Sequence, residues 1–167
     1  GLTSLINDIL TPLSEIIMER GGTIDKYMGD CIMAFWNAPL DDSDHARHAV
    51  ETALAMLAAM PEVNKAIASR LPYRADGEHI RIGIGINSGD CVIGNMGSAK
   101  RFDYSVLGDA VNVAARLEGL CKTYDVPVII GADTVERIGQ GLTFCQLDET
   151  AVRGRSETRA IFTIAQL

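Results

Sequence analysis

The sequence has little positive charge, and this shortage excludes one broad class of function. Lys and Arg total 15 against 22 Asp and Glu, which gives a formal net charge of −7. No broad basic surface is therefore available to bind a nucleic-acid backbone. A single nucleotide is compatible with this charge, because one phosphate group needs only two or three well-placed cations. We expect no polymeric nucleic acid as a partner.

The sequence also lacks paired cysteines and long apolar runs. The four cysteines, which form no C-x-x-C pair, are Cys31, Cys91, Cys121 and Cys145. Their spacing favours reduced thiols in the cytoplasm over a disulfide framework. The longest apolar stretch, around 53–60, is too short to span a bilayer, so we expect no membrane segment in this chain. Its 167 residues, 47% of them hydrophobic, suit one globular domain over 1–167.

The hydrophobic periodicity predicts alternating helices and hairpins. The predicted elements are a helix over 2–17, a hairpin with strands 23–27 and 31–36, a helix to about 60, a loop over 61–79, a strand over 80–86 that pairs in a second hairpin with a strand near 91, a helix over 110–124, a strand over 126–130, a short helix near 134, and strands near 144–153 and 160–165. This order is typical of an α+β, ferredoxin-like (split βαβ) sandwich, in which helices pack on a central, mostly antiparallel sheet. Such a unit opens with a strand, so we infer that the first strand is missing from this chain.

Asp30 is the first candidate for chemistry. It follows Gly29 in the predicted turn of the first hairpin, and the glycine would let a ligand approach both backbone and carboxylate. An acid at such a tip suits Mg²⁺, which one or two carboxylates commonly hold while substrate phosphates fill other positions. Ordinary turn chemistry would also explain a Gly-Asp pair.

Asn112 and Arg116 form the second candidate. They are four residues apart in a predicted helix, so an amide and a guanidinium project from one face. Alternatively, Arg116 pairs with Glu118 or extends into solvent, and Asn112 merely weakens the helix.

Three blocks, at Gly21–Asp30, Arg81–Gly89 and Tyr104–Glu118, together resemble the class III adenylate and guanylate cyclase family in order and spacing. The resemblance covers essentially the whole chain. It implies a catalytic domain that converts ATP to 3′,5′-cyclic AMP and pyrophosphate and works in intracellular signalling. An inactive pseudo-cyclase that binds nucleotide or a partner domain is the alternative. A diguanylate cyclase is disfavoured, because its Gly-Gly-Asp/Glu-Glu-Phe turn is absent.

The resemblance also implies a metal site. Family members bind two divalent metal ions (Mg²⁺ or Mn²⁺) through two aspartates, and Asp30 matches the second. The first belongs to a motif like Phe-x-Asp-x-x-Gly-Phe at the end of the opening strand, which these residues do not contain. We therefore expect residues 1–167 alone to have little cyclase activity.

Base recognition in the family involves two positions that Lys26 and Ser105 match. An ammonium and a hydroxyl can supply the donor and the acceptor that adenine needs, whereas cyclases for GTP usually carry glutamate and cysteine there. The family's commoner residues at the second position are aspartate and threonine, so Ser105 is a departure. Its threonine-like chemistry resembles the bicarbonate-responsive branch.

The remaining implied residues concern the phosphates. Asn112 resembles the amide that orients the ribose, and Arg116 resembles the arginine that stabilises charge on the phosphate. Arg153 and Arg155 lie in a segment that resembles a basic element reaching the triphosphate, although surface charge explains either of them equally well. The family builds its sites between subunits, so the resemblance implies a homodimer. It also implies an upstream regulatory domain, through which the protein could be anchored to a membrane.

Overall fold

The first part of the chain folds as a helix followed by a hairpin, as the sequence predicts. A computed structural model describes residues 1–71, 79–151 and 158–165. Helix α1 spans Leu2–Glu19. Strands β1 (Thr23–Met28) and β2 (Cys31–Phe35) pair in an antiparallel hairpin.

Helix α2 is longer than predicted. It spans His45–Ile67, so the predicted loop over 61–79 is wrong for its first residues. Val63 and Ile67, which are 6% and 1% exposed, continue the buried face of the helix past Pro61. Burial of two such side chains contributes about 1.5–3 kcal/mol each, which offsets the roughly 3 kcal/mol cost of a proline in a helix.

A 3₁₀ turn, Ala68–Arg70, follows α2. The Asn64 side chain then ties α2 to the segment that precedes the next strand. Its Nδ2 donates to the carbonyl of Ile80 at 3.0 Å, and its Oδ1 accepts from the Ile80 N–H at 2.7 Å.

The second hairpin differs from the prediction. Strand β3 is short, Ile84–Ile86, and pairs in parallel with β6 (Val128–Gly131) instead of with the strand after it. The hairpin is formed by β4 (Val92–Ser98) and β5 (Arg101–Leu107). Alternation along the isoleucines correctly indicated a strand, but alternation does not specify which strand it pairs with.

The remaining helices are α3 (Asp109–Tyr124) and α4 (Ala132–Ile138). The remaining strands, β7 (Phe144–Ala151) and β8 (Thr158–Ile164), complete a four-stranded mixed sheet with the order β3-β6-β8-β7. β8 is antiparallel to both of its neighbours. The α+β sandwich class is confirmed. Among the described residues, none of the helices has both the length and the apolar character needed to cross a membrane.

The central strand β6 places α3 relative to the sheet. Val128 and Ile130 pack in a cluster with residues of α2 and α4, whereas Ile129 packs with Leu117 of α3. Because alternate side chains of a strand point to opposite faces, α3 lies on one face of the sheet and α2 and α4 lie on the other.

Gly85 in β3 lets α3 lie directly on the sheet. A Cβ at this position would collide with the carbonyl oxygen of Ala114 and the backbone nitrogen of Glu118. The absence of a side chain therefore sets how closely α3 approaches β3.

Candidate active site

Asp30 occupies the tip of the first hairpin. Met28 pairs with Cys31, so Gly29 and Asp30 form a two-residue loop, and Gly29 has a φ of +62°. A glycine with positive φ at the first loop position is what a type II′ turn requires. Asp30 is exposed. Burial, followed by the negative charges of Glu118 and Asp30, raises the pKa of the neighbouring Cys31 thiol.

The Asp30 turn could supply one ligand to a divalent metal ion. Among the described residues, no group of three or more His, Cys, Asp or Glu side chains is arranged to hold a metal. Mg²⁺ requires few protein ligands, because it takes several oxygens from water and substrate phosphates. The exposed carboxylate of Asp30 is therefore compatible with one ligand position of such an ion.

Lys26 and Ser105, predicted to recognise a base, are brought together through a third residue. Both oxygens of the Asp25 carboxylate accept from Ser105 Oγ, at 3.0 and 2.9 Å, and Asp25 Oδ2 also accepts from the Val106 N–H at 3.0 Å. Lys26 Nζ lies 3.8 Å from Asp25 Oδ1. The Asp25 side chain is 1% exposed and that of Lys26 is 50% exposed, so a buried carboxylate joins a buried hydroxyl to an accessible ammonium.

A β-bulge places Asp25. Ile24 pairs with Ala34 and Lys26 with Met33, so the register skips Asp25. A bulge re-aims side chains relative to regular alternation. Asp25 could not be identified from the sequence, because bulges leave no clear signature in a hydrophobic pattern. Its one available signal was an acid next to Lys26 in a predicted strand.

The two hairpins also meet through aromatic rings. The Phe35 and Tyr104 rings are tilted by 43° with their centroids 5.9 Å apart, a separation typical of favourable aromatic pairs. Since Tyr104 precedes Ser105 in β5 and Phe35 ends β2, this contact joins β5 to the first hairpin next to Ser105.

Asn112 and Arg116 lie one turn apart on α3, and both are exposed. The prediction that they share a helix face is confirmed. Arg116 Nη2 donates to Thr150 Oγ1 of β7 at 3.4 Å, so its described hydrogen bond is with Thr150 and not with Glu118. Among the described residues, no hydrogen bond or ion pair joins either side chain to Asp30. Arg153 and Arg155 lie outside the described residues.

Several large apolar side chains are exposed on the two hairpins. Tyr27 and Met28 of β1 are 52% and 50% exposed. Val92 and Leu107, which face each other across the β4–β5 hairpin, are 70% and 58% exposed. Apolar residues grouped on neighbouring elements are typical of a surface that another protein covers.

Comparison with known proteins gives the family. The chain matches the adenylate and guanylate cyclase catalytic domain over residues 1–165, and it therefore belongs to this family. Adenylate cyclase 1 of Rhizobium meliloti (strain 1021) is 34% identical over 164 residues, which are 98% of this chain. The chain spans only 24% of the length of that relative.

Two solved structures resemble the fold about equally. The guanylyl cyclase Cya2 matches with a TM-score of 0.85 and 29% identity, covering 98% of this chain and 80% of that one. The adenylyl cyclase CyaB from P. aeruginosa matches with a TM-score of 0.83 and 30% identity, covering 98% and 81%. One of these structures is named a guanylyl cyclase and the other an adenylyl cyclase. Similarity of fold therefore does not indicate which base this chain would bind.

Proposed function

We propose that this chain is the catalytic domain of an adenylate cyclase, which converts ATP to 3′,5′-cyclic AMP and pyrophosphate in the cytoplasm. The observation that carries the proposal is the shared position of Lys26 and Ser105 beside Asp25. These residues come from different hairpins, with Asp25 and Ser105 80 positions apart in the chain. Their chemistry matches the hydrogen-bonding edge of adenine.

Adenine presents an acceptor at N1 and a donor at its exocyclic amino group. The Lys26 ammonium has only donors, and the Ser105 hydroxyl oxygen can accept. In guanine both atoms have the opposite character, so N1–H would face the ammonium. A mispaired buried polar group costs roughly 1–3 kcal/mol, which is enough for this pair of residues to favour ATP over GTP.

The phosphate chemistry would fall to residues that follow Ser105 in the chain. The ribose 3′-hydroxyl would release its proton to solvent while its oxygen attacks the α-phosphorus in line. A new P–O bond would form as the bond from the α-phosphorus to the leaving pyrophosphate breaks on the opposite side. Asn112 would orient the ribose, and Arg116 would stabilise the charge that develops on the phosphate. Arg153 or Arg155 would contact the triphosphate.

Two divalent metal ions, Mg²⁺ or Mn²⁺, would lower the pKa of the 3′-hydroxyl and neutralise the phosphates when bound. Asp30 would hold one of them by its exposed carboxylate. A single carboxylate from this turn leaves the other ligand positions to substrate and to further residues.

We also propose a homodimer in which each site takes Asp30 from one chain and Lys26, Ser105, Asn112 and Arg116 from the other. The exposed apolar residues of the two hairpins support it, because pairing would bury them. A two-fold axis would create two equivalent sites. We further propose that a regulatory domain precedes this chain in the natural protein, as the family resemblance implies. The coverage of 24% of the length of adenylate cyclase 1 is compatible with a further domain.

Substrate choice tests the proposal most simply. In the full natural protein that contains this domain, we expect a higher kcat/KM for ATP than for GTP, with cyclic AMP as product. Replacing Lys26 by Glu together with Ser105 by Cys should erode the ATP:GTP preference at least about tenfold, since two polar contacts become mispaired.

A charge-matched control is Lys65→Glu, because Lys65 is exposed on α2 and belongs to no proposed contact. It should leave the preference unchanged. A higher kcat/KM for GTP in the wild type would contradict the base assignment. Tight ATP binding without cyclic AMP would favour the non-catalytic alternative.

A further inference from the structure

The Asp25 carboxylate accepts a hydrogen bond from the Ser105 hydroxyl. Both Asp25 oxygens lie within 3.0 Å of Ser105 Oγ, and Oδ2 also receives the backbone N–H of Val106. The Asp25 side chain is 1% exposed, and Ser105 is 6% exposed. Little water is therefore present to compete for these hydrogen bonds, which strengthens them.

This arrangement limits what Ser105 can offer to a ligand. A serine hydroxyl has one donor hydrogen and two lone pairs, and an ionised aspartate can only accept. When the hydrogen points to Asp25, only lone pairs of Oγ remain for another partner. A hydroxyl that could otherwise rotate to donate or accept becomes an acceptor only.

We propose that Asp25 is a specificity-positioning residue, which fixes Ser105 as an acceptor so that the site binds the exocyclic amino group of adenine and rejects a purine with oxygen at that position. This inference rests on the proposed use of ATP. Asp25 touches no nucleotide itself and acts through Ser105. Its 3.8 Å approach to Lys26 links the two base-recognising side chains to one carboxylate.

The bulge in β1 explains how Asp25 reaches this position. Ile24 and Lys26 both pair with β2, whereas Asp25 is the extra residue. Its carboxylate is therefore free to point toward β5 while Lys26 stays in register. A purely structural role would be to tie β1 to β5, and such a role would affect all nucleotides equally.

The test compares ATP with purine riboside triphosphate, which lacks the amino group at C6. In the full natural protein, the wild type should prefer ATP by at least about tenfold, since one hydrogen bond to the amino group is lost in the analogue. In Asp25→Asn the amide can donate to Oγ and release the hydroxyl proton, so this preference should fall to within about threefold of unity.

A double-mutant cycle separates positioning from structure. Ser105→Ala should lose the same preference, and adding Asp25→Asn to Ser105→Ala should change it no further. The preference is measured both as a kcat/KM ratio and as a ratio of dissociation constants by competition, so that it does not depend on turnover. Asp125→Asn is the control, because that carboxylate is exposed and pairs with Arg81.

The inference is overturned if Asp25→Asn keeps the wild-type preference, or if it lowers the preference equally in the presence and absence of the Ser105 hydroxyl. That result is distinguishable from failure of the proposed function. If the proposed function were wrong, the wild type itself would prefer GTP or make no cyclic AMP.

A second measurement applies if Asp25→Asn does not fold. The wild type and Ser105→Ala are compared with purine riboside triphosphate and 6-methoxypurine riboside triphosphate, whose C6 oxygen can only accept. The wild type should discriminate against the methoxy compound several-fold more strongly than Ser105→Ala, because two acceptors meet. Equal discrimination in the two proteins, or tighter binding of the methoxy compound by the wild type, would show that the hydroxyl donates and would overturn the inference.

Discussion

The candidate site has two ends: a proposed base end, with Lys26, Ser105 and Asp25, and a proposed phosphate end, with Asp30, Asn112 and Arg116. They differ in how many contacts within the chain hold their side chains in place. At the base end, the carboxylate of Asp25 is buried and hydrogen-bonded to Ser105 and Val106. At the phosphate end, Asp30 and Arg116 are exposed, and the described hydrogen bond of Arg116 is a long one of 3.4 Å to Thr150.

This difference indicates a division of labour. On the proposed function, the base end would have its geometry before nucleotide arrives, and such preorganisation would reduce the entropic cost of binding. The phosphate end would gain its geometry from substrate, metal ions and a second chain. On this account, discrimination between bases belongs to one chain, whereas turnover depends on assembly.

The largest expected effect separates the two ends directly. Arg116→Ala should lower kcat by about 100- to 1000-fold, the usual cost of removing one group that stabilises transition-state charge. Its ATP:GTP preference should stay at the wild-type value, because Lys26 and Ser105 are untouched. Steady-state kinetics with both nucleotides provides the measurement.

Arg81→Ala is the matched control for Arg116→Ala. Arg81 is exposed and pairs with the equally exposed Asp125, so its loss should change kcat by less than about twofold. If Arg116→Ala changed base preference as strongly as kcat, the separation of the two ends would be wrong.

A smaller effect is expected where α3 rests on the sheet. Gly85→Ala would push a methyl group into the backbone of α3 and should lower the free energy of unfolding by about 1–3 kcal/mol. Since α3 carries Asn112 and Arg116, which we propose act on the ribose and the phosphate, kcat should fall with little change in base preference. Urea unfolding and the two-nucleotide assay measure both effects.

Gly119→Ala controls for the added methyl group. Nothing lies within 4 Å of a Cβ at Gly119, and alanine is favoured over glycine in a helix by about 1 kcal/mol. This variant should therefore be slightly more stable than the wild type. Equal destabilisation by both substitutions would mean that close packing at Gly85 is not the cause.

The smallest expected effect is on the stability of the fold, and it comes from a pair of residues at the start of α2, outside both ends of the site. A 2.6 Å contact between His48 Nδ1 and Asp42 Oδ2 raises the pKa of His48 and lowers that of Asp42. The contribution of His48 is therefore complete below its ordinary pKa of about 6.5 and is lost as pH rises through the raised value. That of Asp42 is present above its ordinary pKa of 3.8 and is lost as pH falls through the lowered value.

Because the pair is partly exposed, it should stabilise the fold by less than about 1 kcal/mol. Unfolding free energies of the wild type and His48→Gln, measured from pH 4 to 9, should differ most near pH 5–6 and converge at high pH. A difference that grows with rising pH would contradict the assignment. Base preference should be unaffected.

Local patterns predicted many of the helices and strands and the local placement of three candidate residues. The turn at Asp30 and the shared helix face of Asn112 and Arg116 were predictable, because turn residues and helical spacing act within a few positions. The parallel pairing of β3 with β6 was not, since it depends on contacts between distant segments. The extension of α2 past Pro61 was not predictable from local sequence either, because tertiary burial of Val63 and Ile67 outweighs a local helix-breaking signal.

Less of the base end could be predicted from the sequence. Lys26 and Ser105 were identified by resemblance, but the buried carboxylate that joins them was not. Asp25 reaches Ser105 through a bulge that adds one residue to β1, and a hydrogen bond across 80 positions leaves no periodic trace in the sequence.

The most direct test of the account is complementation between two inactive variants of the full natural protein. Asp30→Ala and Arg116→Ala should each be nearly inactive as homodimers, because every site then lacks one required group. A mixed dimer places both lesions in one site and leaves the other intact, so up to about half of the wild-type activity per mixed dimer should return. No recovery under conditions of proven subunit exchange would contradict a site shared between chains.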